Sequence, residues 1–351
     1  MINYSSEYWY DVKEAISCIP NLKKLFHHSV LITGATGMIG SSIVEILFYL
    51  NRYQGSDIQV FLAGRNKERM EKRFYKWKNG KDYIFIPFEA TKCVVEDVHA
   101  DFIIHGASPA DPISYSKKPV ETMLANIFGL KSMLELFRKN HSKRVLYISS
   151  SEVYGKNNTK DSYAELDYGY VDLLNPRSCY PSAKRAAETL CAAYQKEYGV
   201  DFVIARPGHI YGPSITETDS RVSAQFTRKA AAGENIIMKS DGSQLRSYCY
   251  TLDCASAILA ILLNGKNGEA YNISNKDSII TIRELAEIFA QQAEVHIQFA
   301  NASDAEKKSY NLMNNSSLTS NKLESLGWTG KFGIQDGVRK TLYFYRSFYN
   351  A

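Results

Sequence analysis

Val30-Leu31-Ile32-Thr33-Gly34-Ala35-Thr36-Gly37-Met38-Ile39-Gly40, running on into Ser41-Ser42-Ile43-Val44-Glu45-Ile46-Leu47, decides how the chain folds. A short apolar, β-branched run enters a GxxGxxG turn, and an apolar helical pattern follows at once. Gly34 and Gly37 let backbone approach a pyrophosphate. Gly40 lets helix and strand pack closely, and the helix N-terminus aims N–H donors at negative charge. A glycine triplet alone is a weak signal; its place between a buried strand and a helix gives it weight.

Outward from that turn, Ile58 to Leu62, Ile84 to Ile86, Phe102 to His105, Val145 to Ser149 and Phe202 to Ala205 read as further buried strands. Helical patterns separate them at Ser41 to Leu50, Lys67 to Lys76, Pro119 to Asn140 and Tyr180 to Tyr198. Continuous apolar strands alternating with helices predict the α/β class, with a doubly wound parallel sheet covered on both faces. Beyond residue 206 the pieces shorten and become rich in Gly, Ser, Asn and Tyr. Helices are expected near Val222 to Ala232, Asp253 to Leu263, Ile282 to Gln292 and Gln335 to Tyr349, and Asn301 to Ser320 reads as a loop. The organisation predicted is a helical extension over residues 1–28, with a helix near Tyr8 to Ile19, and a nucleotide-binding domain over 29–206. A smaller substrate-binding lobe over 207–351, interleaved with that domain, closes over the carboxyl edge of the sheet.

Composition narrows the function. The 351 residues suffice for one large or two intimate domains. Lys plus Arg (42) exceed Asp plus Glu (37) by five, without a basic block, so there is no electrostatic footprint for nucleic acid. No apolar run is long enough for a membrane span. The six cysteines, Cys18, Cys93, Cys179, Cys191, Cys249 and Cys254, form no CxxC pair and no ligand spacing with histidine. No metal is therefore expected, and reduced thiols fit a cytoplasmic protein. Acidic residues at Glu7, Asp11 and Glu14 speak against a secretory signal.

Candidate chemistry gathers on two further segments. Tyr180 and Lys184 form a YxxxK on one helical face, where an ammonium beside a phenol would favour phenolate and supply a base for a sugar hydroxyl. Ser149-Ser150-Ser151-Glu152-Val153-Tyr154-Gly155 closes an earlier strand, so its side chains can face the same ligand. The second strand ends in Gly64-Arg65-Asn66, without the acidic residue that would take the ribose hydroxyls of NAD. Arg65 meets a 2′-phosphate, stacks on adenine, or is a solvated loop charge, which leaves NAD against NADP open.

With these residues in place, the chain from residue 29 to about 348 resembles the extended short-chain dehydrogenases of the NAD-dependent epimerase/dehydratase family. Within it the UDP-glucuronate decarboxylases are most similar, on four separate segments. His105-Gly106-Ala107-Ser108-Pro109-Ala110-Asp111-Pro112-Ile113-Ser114-Tyr115 resembles their H-x-A-S-P-A-x-P-x-x-Y stretch, and Ser151-Glu152 their S-E-V-Y-G. Asn175-Pro176-Arg177-Ser178-Cys179-Tyr180 with Lys184-Arg185 resembles N-P-x-x-x-R-x-C-Y-x-x-x-K-R with a shortened gap, and Gly242-Ser243-Gln244-Leu245-Arg246 resembles G-x-Q-x-R.

The resemblance implies a Rossmann-like fold, a bound NAD(P), a UDP-linked sugar and a homodimer built on the helices at Pro119 to Asn140 and Tyr180 to Tyr198. Cofactor contacts are expected from Gly34, Thr36, Gly37, Met38, Ile39, Gly40, Arg65, Ala107, Tyr180 and Lys184, although the missing acidic residue beside Arg65 departs from the family. For catalysis it implies Ser150 as hydroxyl partner of Tyr180, and Glu152 with Ser151 and Arg246 at carboxylate expulsion and enolate protonation. Pro109, Tyr115, Glu152, His209 and Arg246 are implied on the substrate. Duller duties stand beside these: Glu152 pairing with a base, Arg246 on the diphosphate, Tyr115 in ordinary packing and His105 as a satisfied structural histidine. His209 departs from the family, which places Asn there against the diphosphate. The alternatives are a 4,6-dehydratase, for which the preceding residue Ser151 leaves the acid role unowned, a 4-epimerase, or a non-catalytic NAD(P) sensor.

Overall fold

The structure, a computed structural model, describes residues 4–92, 94–95, 98–110, 112–157, 162–216, 218–302 and 313–349. In chain order its elements are α1 (Ser6–Ser17), β1 (Ser29–Thr33), α2 (Met38–Gln54), β2 (Gln59–Gly64), α3 (Lys67–Arg73), β3 (Ile84–Glu89), β4 (Val94–Val95), β5 (Phe102–His105), α4 (Pro112–Lys117), α5 (Pro119–Asn140), β6 (Arg144–Ile148), α6 (Cys179–Tyr198) and β7 (Phe202–Pro207). There follow β8 (His209–Tyr211), α7 (Val222–Ala231), β9 (Ile236–Met238), β10 (Leu245–Tyr250), α8 (Thr251–Asn264), β11 (Glu269–Ile273), β12 (Ile279–Thr281), α9 (Ile282–Ala293), β13 (Ile297–Phe299), β14 (Asn315–Ser316), α10 (Asn321–Glu324) and α11 (Ile334–Tyr349).

One eight-stranded sheet carries the molecule, in the order β11-β7-β6-β5-β1-β2-β3-β4. All its pairings are parallel except that of β3 with β4. Strands β1, β5 and β7 are buried along their whole length, as helices on both faces require. Strand order reverses between β1 and β5, so the chain leaves those two strands in opposite directions and opens a crevice at their carboxyl ends.

Two features depart from the sequence expectation. Strand β11, which the sequence pattern does not show, extends the main sheet by pairing with β7, and helix α8 packs on α2, with a 2.9 Å bond between Ser42 Oγ and Thr251 Oγ1. The polar stretch expected as a loop contributes β14, which lies parallel to β10. Cys93, Asp111 and residues 303–312 of that stretch lie outside the described residues. The lobe itself consists of α7, α9, the small sheet of β8, β10, β12 and β14, and the pair β9 and β13.

The N-terminal segment forms its helix and is tied in by charge as well as by rings. Tyr4 and Tyr8 pack on Phe348, Tyr8 also meets Phe344, and both phenols donate to Glu45 of α2. Glu45 is fully buried, and Arg73 donates to its Oε1 at 2.6 Å and to Tyr4. Burial of this pair is costly unless every partner is kept. Glu45→Gln strands the Arg73 charge, and we expect urea unfolding to show a loss of about 3–5 kcal/mol; a loss below about 1 kcal/mol would mean water reaches the cluster.

Candidate active site

The glycines are where backbone crowds backbone. Gly34 has φ of 75°, and a Cβ on it would stand 2.7 Å from the Gly106 carbonyl across the crevice. A Cβ on Gly40 would stand 2.3 Å from the Gly34 oxygen. Thr33 closes the same corner: its Oγ1 accepts from the Gly106 and Ala107 amides, each at 3.1 Å, and bonds His105 Nδ1 at 2.8 Å. Gly37 is the N-cap of α2 and offers no side chain to its first turn, so the amides of Met38, Ile39 and Gly40 open the helix toward the crevice. Thr36, Ile39, Ala107 and Pro109 are half-buried around it. Narrow backbone walls and an uncapped helix N-terminus fit the pyrophosphate of a dinucleotide. Arg65, at the end of β2, is exposed and 3.9 Å from Glu89 of β3.

The second half of the site lies at the ends of β6 and α6. Ser150 caps a 3-10 turn, Ser151–Tyr154, by accepting from the Glu152 amide at 3.2 Å, and its hydroxyl favours ionisation of the Tyr180 phenol. Ser151 is buried in that turn. Arg185, one residue past Lys184, fastens the turn by donating to the Val153, Tyr154 and Gly169 carbonyls at 2.6, 3.0 and 2.8 Å. Tyr180 opens α6 and Lys184 lies one turn along it, both buried.

The expected depression of the Tyr180 pKa by Lys184 is not what the structure gives. Lys184 Nζ donates to the Ile148 carbonyl at 2.8 Å and sits 4.7 Å over the Tyr147 ring and 5.6 Å from the Tyr180 ring. Burial pushes this ammonium down to about 7. Burial also pushes the Tyr180 phenol up to about 12, with Glu152 adding to the rise and the Ser150 bond, Arg221 and Arg177 opposing it. In the protein alone the phenol is a held acid, and Ser150, Arg221 and Arg177 are the groups that favour losing its proton.

Those arginines are what the sequence reading missed. Arg177 reaches Glu152 with both ends of its guanidinium, Nη1 at 2.9 Å and Nη2 at 3.1 Å from the two carboxylate oxygens. It also lies 4.6 Å over the Tyr115 ring, which in turn stacks on Tyr180 at 5.2 Å. Arg177 stood in a quoted motif, but only contact reveals its partner. Arg221, at the N-cap of α7, is paired with Asp219 and reaches the Met38 sulfur at 3.7 Å, joining the lobe to the glycine turn. Tyr115 is buried in this stack. Arg246 on β10 is buried, donates to the Leu245 carbonyl at 2.8 Å, and is held below its ordinary value by burial, which Tyr248 and Glu152 oppose.

Two histidines have no charge to offer. His105 stacks on Tyr147, and burial, reinforced by Lys184, pushes it down to about 3. His209, against Tyr248, is pushed down to about 3 by burial, then by Arg246 and Arg221. An unfolded histidine titrates near 6.5, so the unfolded chain binds protons that the folded one refuses. Stability is therefore whole above about pH 6.5 and is lost as pH falls toward 3. We expect thermal midpoints to drop across that window, less steeply in His105→Asn and His209→Asn; a parallel drop in both variants would assign the acid sensitivity elsewhere.

A doubly wound sheet with a glycine-lined helix N-terminus at its switch point, facing a Ser-Tyr-Lys cluster, defines a dinucleotide-dependent class of the Rossmann type. Residues 30–274 match the NAD dependent epimerase/dehydratase family, and the chain belongs to that family. Its relatives include UDP-glucuronic acid decarboxylase 3 of Arabidopsis thaliana, 31% identical over 328 residues, or 92% of this chain and 88% of that one. UDP-glucuronic acid decarboxylase 1 of Xenopus tropicalis is 29% identical over 90% of this chain and 72% of that one. Among solved structures, dTDP-glucose 4,6-dehydratase of Bacillus anthracis in complex with NAD has the same fold, with a TM-score of 0.74, 20% identity and coverage of 91% and 96% of the two chains. UDP-glucose 4-epimerase of Thermus thermophilus, complexed with NAD, gives 0.73 at 24% identity, over 91% and 99%. No helix among the described residues is long and apolar enough to cross a membrane.

Proposed function

We propose that the protein decarboxylates UDP-glucuronate through transient oxidation at C4. The observation that carries this reading is a carboxylate, Glu152, that acts on the buried Tyr180 phenol together with Arg177 and Arg221 and is itself felt by the buried Arg246. A simple epimerase needs Ser, Tyr and Lys alone. The relatives named as decarboxylases, spanning most of the chain, support the same substrate.

The glycine turn, Thr36, Ala107 and the α2 N-terminus would hold a dinucleotide, with Arg65 at its adenosine end, Tyr180 and Lys184 at the other. The dinucleotide, NAD by family, supplies a place for a hydride to go and return from. Tyr180, ionised to phenolate once dinucleotide and substrate are in place with Ser150, Arg177 and Arg221 favouring that form, takes the proton of the C4 hydroxyl and gives it back at the end. A C4 ketone lies β to the C5 carboxylate, so the carboxylate leaves as CO2 with its bonding electrons flowing into the carbonyl. Arg246 then balances the enolate charge, and Glu152 relays to C5 the proton that solvent supplies. Pro109, Tyr115 and His209 line the sugar nucleotide, His209 as a neutral hydrogen-bonding group. The protein works in the cytoplasm as a homodimer, formed through α5 and α6.

Incubation of purified protein with UDP-glucuronate, UDP-glucose, dTDP-glucose and CDP-glucose, with products weighed by mass spectrometry, tests the reading. Loss of CO2 from UDP-glucuronate alone is expected. Loss of water from a hexose nucleotide would mark a dehydratase, and a changed sugar of unchanged mass an epimerase.

A further inference from the structure

The Glu152–Arg177 pair has a job that neither the turn nor the helix needs. Both side chains keep some exposure, 19% and 13%, so the pair is not core filling. Arg177 sits on the short 3-10 turn Pro176–Ser178 just ahead of α6, where Asn175 Oδ1 accepts from its amide at 3.0 Å. Its guanidinium is fixed twice more, by both Glu152 oxygens and by the Tyr115 face. A planar fork so held is pre-organised and fixes the Glu152 carboxylate in one orientation.

The charges around it then matter. A uronate brings a second anion beside Glu152, and two carboxylates at close range repel. Arg177 offsets the Glu152 charge, and Asp219 likewise occupies Arg221, so the charge of Arg246 remains for the incoming carboxylate. Neutral His105 and His209 add nothing. A hexose, with a hydroxymethyl group at C5, has no use for such a balance.

We propose that Arg177 is a positioning and specificity-determining residue: by neutralising and fixing Glu152, it makes the cleft select a sugar nucleotide with a C5 carboxylate over its neutral counterpart. The inference rests on the functional reading above and deepens it.

Calorimetric affinities of the full-length protein, as purified with its nucleotide, for UDP-glucuronate and UDP-glucose give the discriminating ratio. Removing one charge at this depth is worth at least about tenfold in affinity for the anion. Arg177→Gln is expected to narrow the ratio by about tenfold or more through weaker UDP-glucuronate binding alone, with Arg177→Lys recovering part of it. Glu152→Gln is expected to move the ratio the other way, and the double variant to return it toward the wild-type value, which keeps the test open if Arg177→Gln folds poorly. A ratio unmoved in both single variants, or affinities for the two nucleotides falling together, would overturn the proposal and leave Arg177 a structural residue. Failure of the wild-type protein to release CO2 from UDP-glucuronate would overturn the functional reading instead, and the ratios would still decide the role of Arg177.

Discussion

Tyr180→Phe is expected to reduce CO2 release from UDP-glucuronate by about 10²–10⁴-fold, the usual worth of a positioned acid–base group. The change removes one oxygen. The ring keeps its stacking on Tyr115 and its place at the start of α6, so folding and nucleotide content should match the wild type. What disappears is the hydroxyl to which the proposed function gives the C4 proton transfer. Oxidation and the return reduction both need that group, so neither a 4-keto product nor reduced cofactor should accumulate. Production of CO2 at a rate within about threefold of the wild type would place the proton transfer on another residue.

Gly40→Ala is expected to remove the dinucleotide. Its new methyl would lie 2.3 Å from the Gly34 oxygen and 2.9 Å from the Gly34 carbon, both backbone atoms that cannot swing aside. Relief requires α2 to slide away from β1, which moves the Gly37 cap and the first-turn amides off the pyrophosphate position. Overpacking of this kind costs about 1–3 kcal/mol in stability. The nucleotide pays more, because several amide contacts shift together, and its affinity should fall at least about a hundredfold. The measurement is nucleotide released by denaturing the purified protein, with a urea curve beside it. A full complement of NAD in Gly40→Ala would mean the turn is not where the pyrophosphate binds.

Much of the main body is legible in the sequence because its strands are buried on both faces. A buried strand between helices has one reading, so β1, β5 and β7 and helices such as Pro119–Asn140 stand close to their expected bounds. Strand β11 is hidden because Glu269-Ala270-Tyr271-Asn272-Ile273 is neither a continuous apolar run nor an alternating one, and it lies at the sheet edge, half-buried at its start. The site divides in the same way. Glycines, YxxxK and Ser-Ser-Glu follow from local spacing. Arg177 on Glu152 and Arg221 on Met38 depend on contacts across 25 and 183 residues, which no spacing rule supplies. The sign of the Tyr180 shift was missed for a related reason. Sequence shows a lysine four residues away, whereas burial and a backbone carbonyl decide where its charge goes.

Rapid mixing of the nucleotide-bound protein with UDP-glucuronate carrying deuterium at C4, followed by absorbance of reduced nicotinamide and by CO2 release, tests the oxidation at C4 most directly. The account predicts that the reduced form appears before CO2, and more slowly with deuterium than with hydrogen. CO2 released with no reduced nicotinamide and no effect of the C4 isotope would contradict it.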